Sequence, residues 1–369
     1  MTTIITCADI HLRNDDSYGV YDSNGVNDFL VFRYNAVREI IKKAIDLKSH
    51  LLIAGDFLDN RILDSHTLYY ASKLVKLMFD TEFTVLLEGN HGYVERSGDI
   101  CSISQYKYVV PNNVRIITYP KIETHGDISY HCIPAINDIS KNFLKIISDF
   151  KKSFKKSKTN ILAVHAPVFG AKLDSGRESK DGLRQEDIVY VNKMYDYVVL
   201  GDFHRYQKLY ENVWYCGSVM QMSLKDKGQE KGYQVLDTEE KEFIFEHSNG
   251  PKFLELLYKP GVKVSKIIKN PSIYKSKLNN SIVVIKVIGK TSVIKNIEYE
   301  KIKKSLIING AIRVFIDLSN TDENIVRKSI DVNTNEKEMV YKYCNYKKKT
   351  INQPLDEVVK KGISYLFSR

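Results

Sequence analysis

Over the first 250 residues, short apolar runs alternate with longer amphipathic stretches. Residues 3–6, 51–54, 83–87, 160–164 and 197–200 are rich in Ile, Leu, Val and Ala, in runs of the length a buried strand takes. Between them, residues 33–47, 62–79, 98–108 and 139–156 repeat apolar positions at helical spacing. Strands separated by helices of this length predict an α/β fold, a sandwich around mostly parallel or mixed sheet flanked by helices. Residues 213–216, 233–236 and 243–246 are short, close and strand-like, as in an antiparallel flank. After Asn249-Gly250-Pro251 the texture changes: 281–288 alternates like a strand, 293–306 like a helix and 311–318 like a strand again. A polar stretch, 319–335, leads to a last amphipathic helix at 355–367, whose Leu355, Val358, Val359, Ile363, Leu366 and Phe367 form one broad stripe. The expected organisation is a main domain over 1–250, a small α/β domain over 260–320 and a C-terminal helical segment over 336–369.

Composition narrows the class. With 369 residues, 43% hydrophobic and 27% charged, the chain suits two globular domains. No run approaches the roughly 18–20 apolar residues of a membrane helix, and the N-terminus reaches Asp9 without a basic, then apolar, leader pattern. Five scattered cysteines, Cys7, Cys101, Cys132, Cys216 and Cys344, include no CxxC pair. That spacing argues against a disulfide framework or a thiolate zinc site and predicts a reducing cytoplasm, the host's if the chain is viral. The net charge of +10 is uneven: residues 251–369 carry 24 Lys/Arg against 11 Asp/Glu, whereas residues 1–250 are net −3. A polyanionic partner such as nucleic acid explains this; so does codon usage rich in Lys, Ile, Asn and Tyr, and charge alone does not separate the two.

The informative residues lie where apolar strands end. Thr3–Ala8 runs into Asp9-Ile10-His11, and Leu51–Ala54 into Gly55-Asp56-Phe57-Leu58-Asp59. Val85–Glu88 runs into Gly89-Asn90-His91, Ile161–Val164 into His165, and Val198–Leu200 into Gly201-Asp202-Phe203-His204. Each fragment alone is commonplace, and a single buried His is more often a satisfied core residue than a ligand. Five in order, each closing an apolar run, point to one crevice at the carboxyl ends of the strands. Oxygen and imidazole donors from several loops suit Mn²⁺, Mg²⁺ or Zn²⁺. Two neighbouring cations need a bridging carboxylate, and Asp56 stands mid-set to provide it. Period-2 geometry would turn Asp9 and His11 to one side and Ile10 to the core. Asn90 offers a neutral oxygen, and the adjacent His91 is placed to protonate a leaving oxygen, with water acidified by the cations as the nucleophile.

This ordered set resembles the calcineurin-like metallophosphoesterase superfamily and, within it, the SbcD-type DNA repair exonuclease branch of phage and bacterial recombination nucleases. The narrower resemblance rests on Tyr215-Cys216-Gly217-Ser218 and Lys231-Gly232-Tyr233, similar to that branch's Tyr-x-Gly-Ser and Lys-Gly segments. It implies one metal held by Asp9, His11, Asp56 and His204, and a second by Asp56, Asn90, His165 and Asp202. It also implies His91 as proton donor, Asp59 supporting the site from behind the ligands, and two divalent cations, Mn²⁺ first and Mg²⁺ as the alternative. Two positions depart from the family pattern. Gly-His-x-His is here Gly201-Asp202-Phe203-His204, and Gly-Asn-His-Asp is here Gly89-Asn90-His91-Gly92.

What the resemblance implies for function is a metal-dependent DNA nuclease subunit, acting as double-strand exonuclease and single-strand endonuclease. No GxxxxGK[ST] loop occurs in the chain, so ATP would be handled by a separate subunit. The implied partners are DNA, an SMC-like (SbcC-type) ATPase docked on the C-terminal segment, and a second copy of the chain meeting through 62–79 and 98–108. No membrane is implied. Lys263, Lys266 and Lys269 are candidate DNA contacts beside the small domain. Two other readings stand beside this one. The same metal site would serve a phosphomonoesterase or cyclic-nucleotide phosphodiesterase, and Asp202 would suit a weakly active DNA-binding scaffold for the ATPase.

Overall fold

The computed structural model describes residues 2–92, 100–154, 158–240 and 243–320. Twelve strands form two six-stranded sheets. The first contains β1 (Thr3–Cys7), β2 (His50–Ile53), β3 (Phe83–Leu87) and β4 (Val114–Ile117). The second contains β5 (Lys121–His125), β6 (Ile128–Ile133), β7 (Thr159–His165), β8 (Tyr197–Gly201), β9 (Gln207–Tyr210) and β10 (Val213–Tyr215). Strands β11 (Gly232–Asp237) and β12 (Phe243–His247) return to the first sheet. The spatial orders are β12-β11-β1-β2-β3-β4 and β5-β6-β7-β8-β10-β9. Strands β1 to β4 run parallel, as do β6, β7, β8 and β10, while β11 and β12 pair antiparallel at the edge of the first sheet. The expected antiparallel flank is therefore divided: 213–216 joins the second sheet, parallel to β8, and the other two segments join the first.

Strand alternation explains the layers. In β1, Ile4 faces the other sheet with Leu52, Val85 and Trp214, whereas Ile5 and Cys7 face the helical side with Leu51 and Ile53. Burial on both faces accounts for the nearly continuous apolar runs. Helices α1 (Asp28–Asp46) and α2 (Ser65–Met78) cover the first sheet, and α3 (Ile139–Lys151) and α4 (Gln185–Asn192) cover the second. The result is an α/β fold of mixed sheets flanked by helices.

Local chemistry sets the helix ends. Helix α2 starts three residues later than 62–79 predicts, because the Asp64 carboxylate accepts from the amides of His66 and Thr67 and so caps the helix there. Of 98–108, only Ser104–Tyr108 is helical among the described residues, as a short 3₁₀ turn. The hydroxyl of Ser104 accepts from the Cys101 amide just ahead of it, a local bond that competes with helical pairing.

A third sheet, ordered β14-β13-β15-β16, comprises β13 (Lys252–Lys259), β14 (Lys263–Val264), β15 (Ser281–Gly289) and β16 (Ala311–Asn320). Strand β13 carries no turn signal before 260 and was not expected; it pairs parallel with β15. The single helix expected over 293–306 is instead two, Thr291–Ile294 and Tyr299–Ile308. Asn296, a poor helix former, lies in the break. Phe253 and Ile282 share the core beneath α1, and Tyr18 makes edge contacts with Phe253 and Phe315. Met1–Ile288 and Asn296–Leu318 make up one compact unit. The segment 336–369, with its expected helix at 355–367, lies outside the described residues. Among the described residues no helix is long and apolar enough to cross a membrane.

Candidate metal centre

Five loops meet at the carboxyl ends of β1, β2, β3, β7 and β8, three from the first sheet and two from the second. The crevice thus lies across the end of the sandwich rather than along one open sheet. Asp9 and His11 reach it by an unexpected route. Strand β1 ends at Cys7, and both residues adopt left-handed backbone (φ 52° and 51°), so strand alternation does not orient them. Ile10 is nevertheless buried in the core, and the amides of residues 9 to 12 donate to the carbonyls of residues 55 to 57. Asp56 (φ 48°) and Asp202 (φ 102°) are left-handed as well. Four non-glycine residues of this kind in one place mark backbone strain concentrated at a functional site. Gly55 and Gly89 permit the close packing: a Cβ on Gly55 would lie 2.0 Å from His165 Nδ1, and one on Gly89 would lie 1.9 Å from an Asp56 oxygen.

The side chains converge on Asp56. Its Oδ2 lies 3.4 Å from His165 Nε2, 3.7 Å from His11 Nε2 and 4.0 Å from His91 Nε2, while its Oδ1 accepts from the His91 amide at 3.2 Å. His165 Nδ1 donates to the Ala54 carbonyl at 2.8 Å, and His11 Nδ1 pairs with Asp59 at 2.7 Å. With Nδ1 occupied in each ring, Nε2 is the nitrogen turned toward the crevice. Asn90 donates to Asp202 Oδ1 at 2.9 Å, leaving its own amide oxygen free, and the Asp202 amide donates to Asp9 at 3.0 Å. The rings of His91 and His204 pack 4.8 and 4.7 Å from that of His11.

Three atoms of this cluster, Asp9 Oδ2, His11 Nε2 and His165 Nε2, are buried with no hydrogen-bond partner. Buried polar atoms are rarely left so, and these three, gathered beside Asp56, fit cation ligands. The sets Asp9–His11–His204, Asp9–Asp56–His165 and His11–Asp59–His91 each bring one ligand atom per residue within 4.8 Å of the others. The 3.4–3.7 Å gaps between Asp56 and the two imidazoles are what two donors about 2.1 Å from a shared ion show. The donors, oxygen and imidazole with no thiolate, suit hard or borderline divalent ions.

Electrostatics agree with mutual dependence. Burial pushes the Asp9 carboxyl up to about 7. Burial lowers His165, but Asp56, with Asp9 and Asp202 behind it, pulls that imidazole up to about 10. The Asp59 hydrogen bond raises His91 to about 9. Asp56 is held well below the usual carboxylate range against its burial, chiefly by His165 and His11. These mutual shifts mark a cluster of charges of the kind that holds a divalent cation.

All the sequence-derived candidates of the centre, Asp9, His11, Asp56, Asp59, Asn90, His91, His165, Asp202 and His204, meet here. Lys263, Lys266 and Lys269 are exposed on β14 and the short helix after it. Sequence reasoning missed the groups behind the ligands. Arg13 donates to Asp59 at 2.8 Å and contacts Asp16 at 3.3 Å, and the buried Arg33 of α1 reaches the same Asp16 oxygen at 2.7 Å. A signal for Arg33 existed: it interrupts the apolar stripe of Phe29, Leu30, Ala36, Val37 and Ile40, and a charge at a core position needs a partner. Asp174, Asp226 and Lys231, beside His204, had no comparable signal as a group.

A helix-flanked two-sheet fold with clustered Asp and His at the strand ends is that of a metal-dependent phosphoesterase. The calcineurin-like phosphoesterase family model matches residues 2–206, and the chain belongs to this family. It is similar to the SbcD component of the SbcCD nuclease of Staphylococcus epidermidis, 34% identical over 92 residues, which is 24% of this chain and 25% of that protein. It is also 43% identical over 70 residues to an uncharacterized protein, R555, of Acanthamoeba polyphaga mimivirus, covering 18% of this chain and 5% of that one. The chain thus spans a quarter or less of the length of these relatives. Among solved structures, a dimetal phosphatase from Danio rerio overlaps with a TM-score of 0.42 at 9% identity, over 67% of this chain and 96% of that one. TT1561 of Thermus thermophilus overlaps with a TM-score of 0.39 at 11% identity, over 67% of this chain and 98% of that one.

Proposed function

We propose that this phosphoesterase is a nuclease hydrolysing DNA phosphodiesters, with one cation held by Asp9, His11, Asp56 and His204 and a second by Asp56, Asn90, His165 and Asp202. The observation that carries the site assignment is the trio of buried, unpartnered donor atoms facing Asp56. The nuclease reading draws on the local similarity to a nuclease component and on the basic residues after 250. Bound divalent cations would supply Lewis-acid polarisation of the phosphoryl oxygens and activation of water.

The chain's own residues do the rest. The Asp59 carboxylate accepts from His11 Nδ1 at 2.7 Å and lies 3.2 Å from His91 Nδ1, which also donates to the Asp59 carbonyl at 3.2 Å. That leaves His11 Nε2 as a donor to metal. His91, protonated below about 9 and half exposed at the mouth, carries on Nε2 the proton a leaving oxygen needs. Asn90 contributes a neutral oxygen and so adds no charge against an incoming phosphate. Asp202 keeps a carboxylate where the family pattern has imidazole, favouring Mg²⁺ or Mn²⁺ at the second position.

In the same reading, 260–320 helps align DNA, with Lys263, Lys266 and Lys269 on phosphates. The segment 336–369 docks on an SMC-like ATPase, and two copies of the chain pair. The test is cleavage of end-labelled linear duplex by the full chain with Mn²⁺, against p-nitrophenyl phosphate, with His91→Ala as control. Cleavage of DNA that is lost in the variant supports the nuclease. Turnover of the small ester alone turns the assignment to a phosphomonoesterase, and Mn²⁺ binding without either activity turns it to a scaffold.

A further inference from the structure

His204 is gripped from two sides by residues with no assigned role. Its carbonyl accepts from the Ser218 amide at 3.0 Å and from Lys231 Nζ at 2.5 Å. This gives the Gly217-Ser218 and Lys231-Gly232 segments a shared purpose: both anchor the backbone of His204. Its ring Nδ1 lies 3.4 Å from Asp174 Oδ2, in the loop between β7 and α4. The other rings of the centre set the pattern. His11 is backed on Nδ1 by Asp59 and His165 on Nδ1 by the Ala54 carbonyl, which leaves Nε2 of each toward the crevice.

We propose that Asp174 is the positioning residue for His204, holding the proton on Nδ1 and turning Nε2 toward Asp9 and His11. Asp174, His204 and Asp226 also lie within ligand distance of one another, but the ammonium of the buried Lys231, 3.1 Å from Asp226 Oδ1, already occupies that cluster with positive charge. Asp226 is fully committed, since its other oxygen accepts from the amides of Met222 and Ser223 at 2.9 and 3.0 Å. Asp174 is not: its Oδ1 is buried without a hydrogen-bond partner, and His204 is the imidazole its Oδ2 faces.

The loop is built to keep it there. Residues 173–177 form a tight turn in which Gly176 (φ 78°) closes on the Leu173 carbonyl at 2.8 Å and Leu173 donates to Arg177 at 2.8 Å. Gln207 of β9 pairs with both the amide and the carbonyl of Lys172 at 2.8 Å, and Gln229 donates to the Asp174 carbonyl at 2.9 Å. The turn is thus pinned on both sides of Asp174. Carboxylates placed behind a metal-binding imidazole orient it and raise its basicity, and their removal costs about 10- to 100-fold in metal affinity.

This inference rests on His204 being a ligand, as assigned above, and the test separates the two. Long-range ¹H–¹⁵N spectra of the metal-free, histidine-labelled full chain report the His204 tautomer, and calorimetric titration with Mn²⁺ reports binding. Wild type is expected to carry the His204 proton on Nδ1. Asp174→Ala should mix the tautomers and weaken one of two Mn²⁺ sites about 10- to 100-fold. Asp174→Asn, whose amide oxygen still accepts from Nδ1, should keep the tautomer and stay within about threefold of wild type. A wild-type proton on Nε2, or an Ala variant that changes neither the tautomer nor any affinity by more than about twofold, overturns the proposal. Should the Ala variant not fold, the wild-type tautomer and the Asn variant decide it. Absence of Mn²⁺ binding by wild type would sink the two-cation assignment, whereas the tautomer is read without metal.

Discussion

Around His11 the ring is backed by charge: Asp59 on Nδ1, Arg13 on Asp59, Asp16 on Arg13 and the buried Arg33 on Asp16. Around His165 the backing is a main-chain carbonyl, Ala54, supported by the β2 strand end and by glycines that leave no room for a Cβ. One half is therefore tunable side chain by side chain, and the other is wired into the backbone. The additional carboxylate, Asp202, sits on the His165 side, 3.8 Å from His165 and accepting from the Asn90 amide. On the His11 side the ring is oriented by an ion network. On the His165 side imidazole basicity comes from carboxylates that a cation would neutralise.

Removing what both halves share should have the largest effect. Asp56→Ala is expected to abolish binding of both cations and lower turnover at least about 10³-fold, with Mn²⁺ stoichiometry by elemental analysis as the check. His91→Ala should lower kcat about 10²–10⁴-fold while leaving that stoichiometry at the wild-type value. A fall in stoichiometry would make His91 a ligand rather than a proton donor.

Breaking the halves separately comes next. Asp59→Ala should weaken the His11-side cation about 10- to 100-fold, and Arg13→Ala should do so by only a few-fold, since Arg13 acts through Asp59. Titration calorimetry that found both variants affecting the His165-side cation instead would undo the comparison. The pH dependence has a definite sign. Protons sit on Asp9 below about 7 and on His165 below about 10, and a cation must displace them. Mn²⁺ affinity should therefore rise with pH, by up to about tenfold per unit for each displaced proton. The rise should be steeper below pH 7, where Asp9 and His165 both hold protons, than above it. The smallest expected change comes from Asp202→His, which exchanges a hard donor for imidazole. It should move the second position several-fold from Mg²⁺ toward Zn²⁺ without restoring an activity the wild type lacks. An inactive wild type rescued by this change would refute retained activity at the altered site.

How much was legible can be argued from particular residues. The strands β1, β2, β3, β7 and β8 read directly from apolar runs, because burial on both faces writes itself into every position. Helix α2 read long because periodicity does not register where a cap diverts the chain, and Asp64 sat inside the pattern. Strand β13 did not read because residues 252–259, with Lys, Glu and Lys at intervals, cover a face only partly buried. The residues that meet at the crevice were legible because Asp, Asn and His at strand ends are local events. The Arg33–Asp16–Arg13–Asp59 relay was not legible, since its links join the β1 loop to the β2 loop and to α1.

By itself, the sequence determined the α/β class, the end of the sheets where chemistry collects, and the oxygen and imidazole donors available there. Those follow from rules acting over a few residues: strand alternation, helical period and turn-forming glycine. Only the tertiary structure decided which nitrogen of each imidazole faces the crevice, which carboxylate stands behind His204, and that Asp9 and His11 reach the site through left-handed backbone. Such choices are made by partners remote in the chain, such as Ala54 for His165, and a hydrogen bond of that kind exists only once the packing of two sheets has brought its ends together.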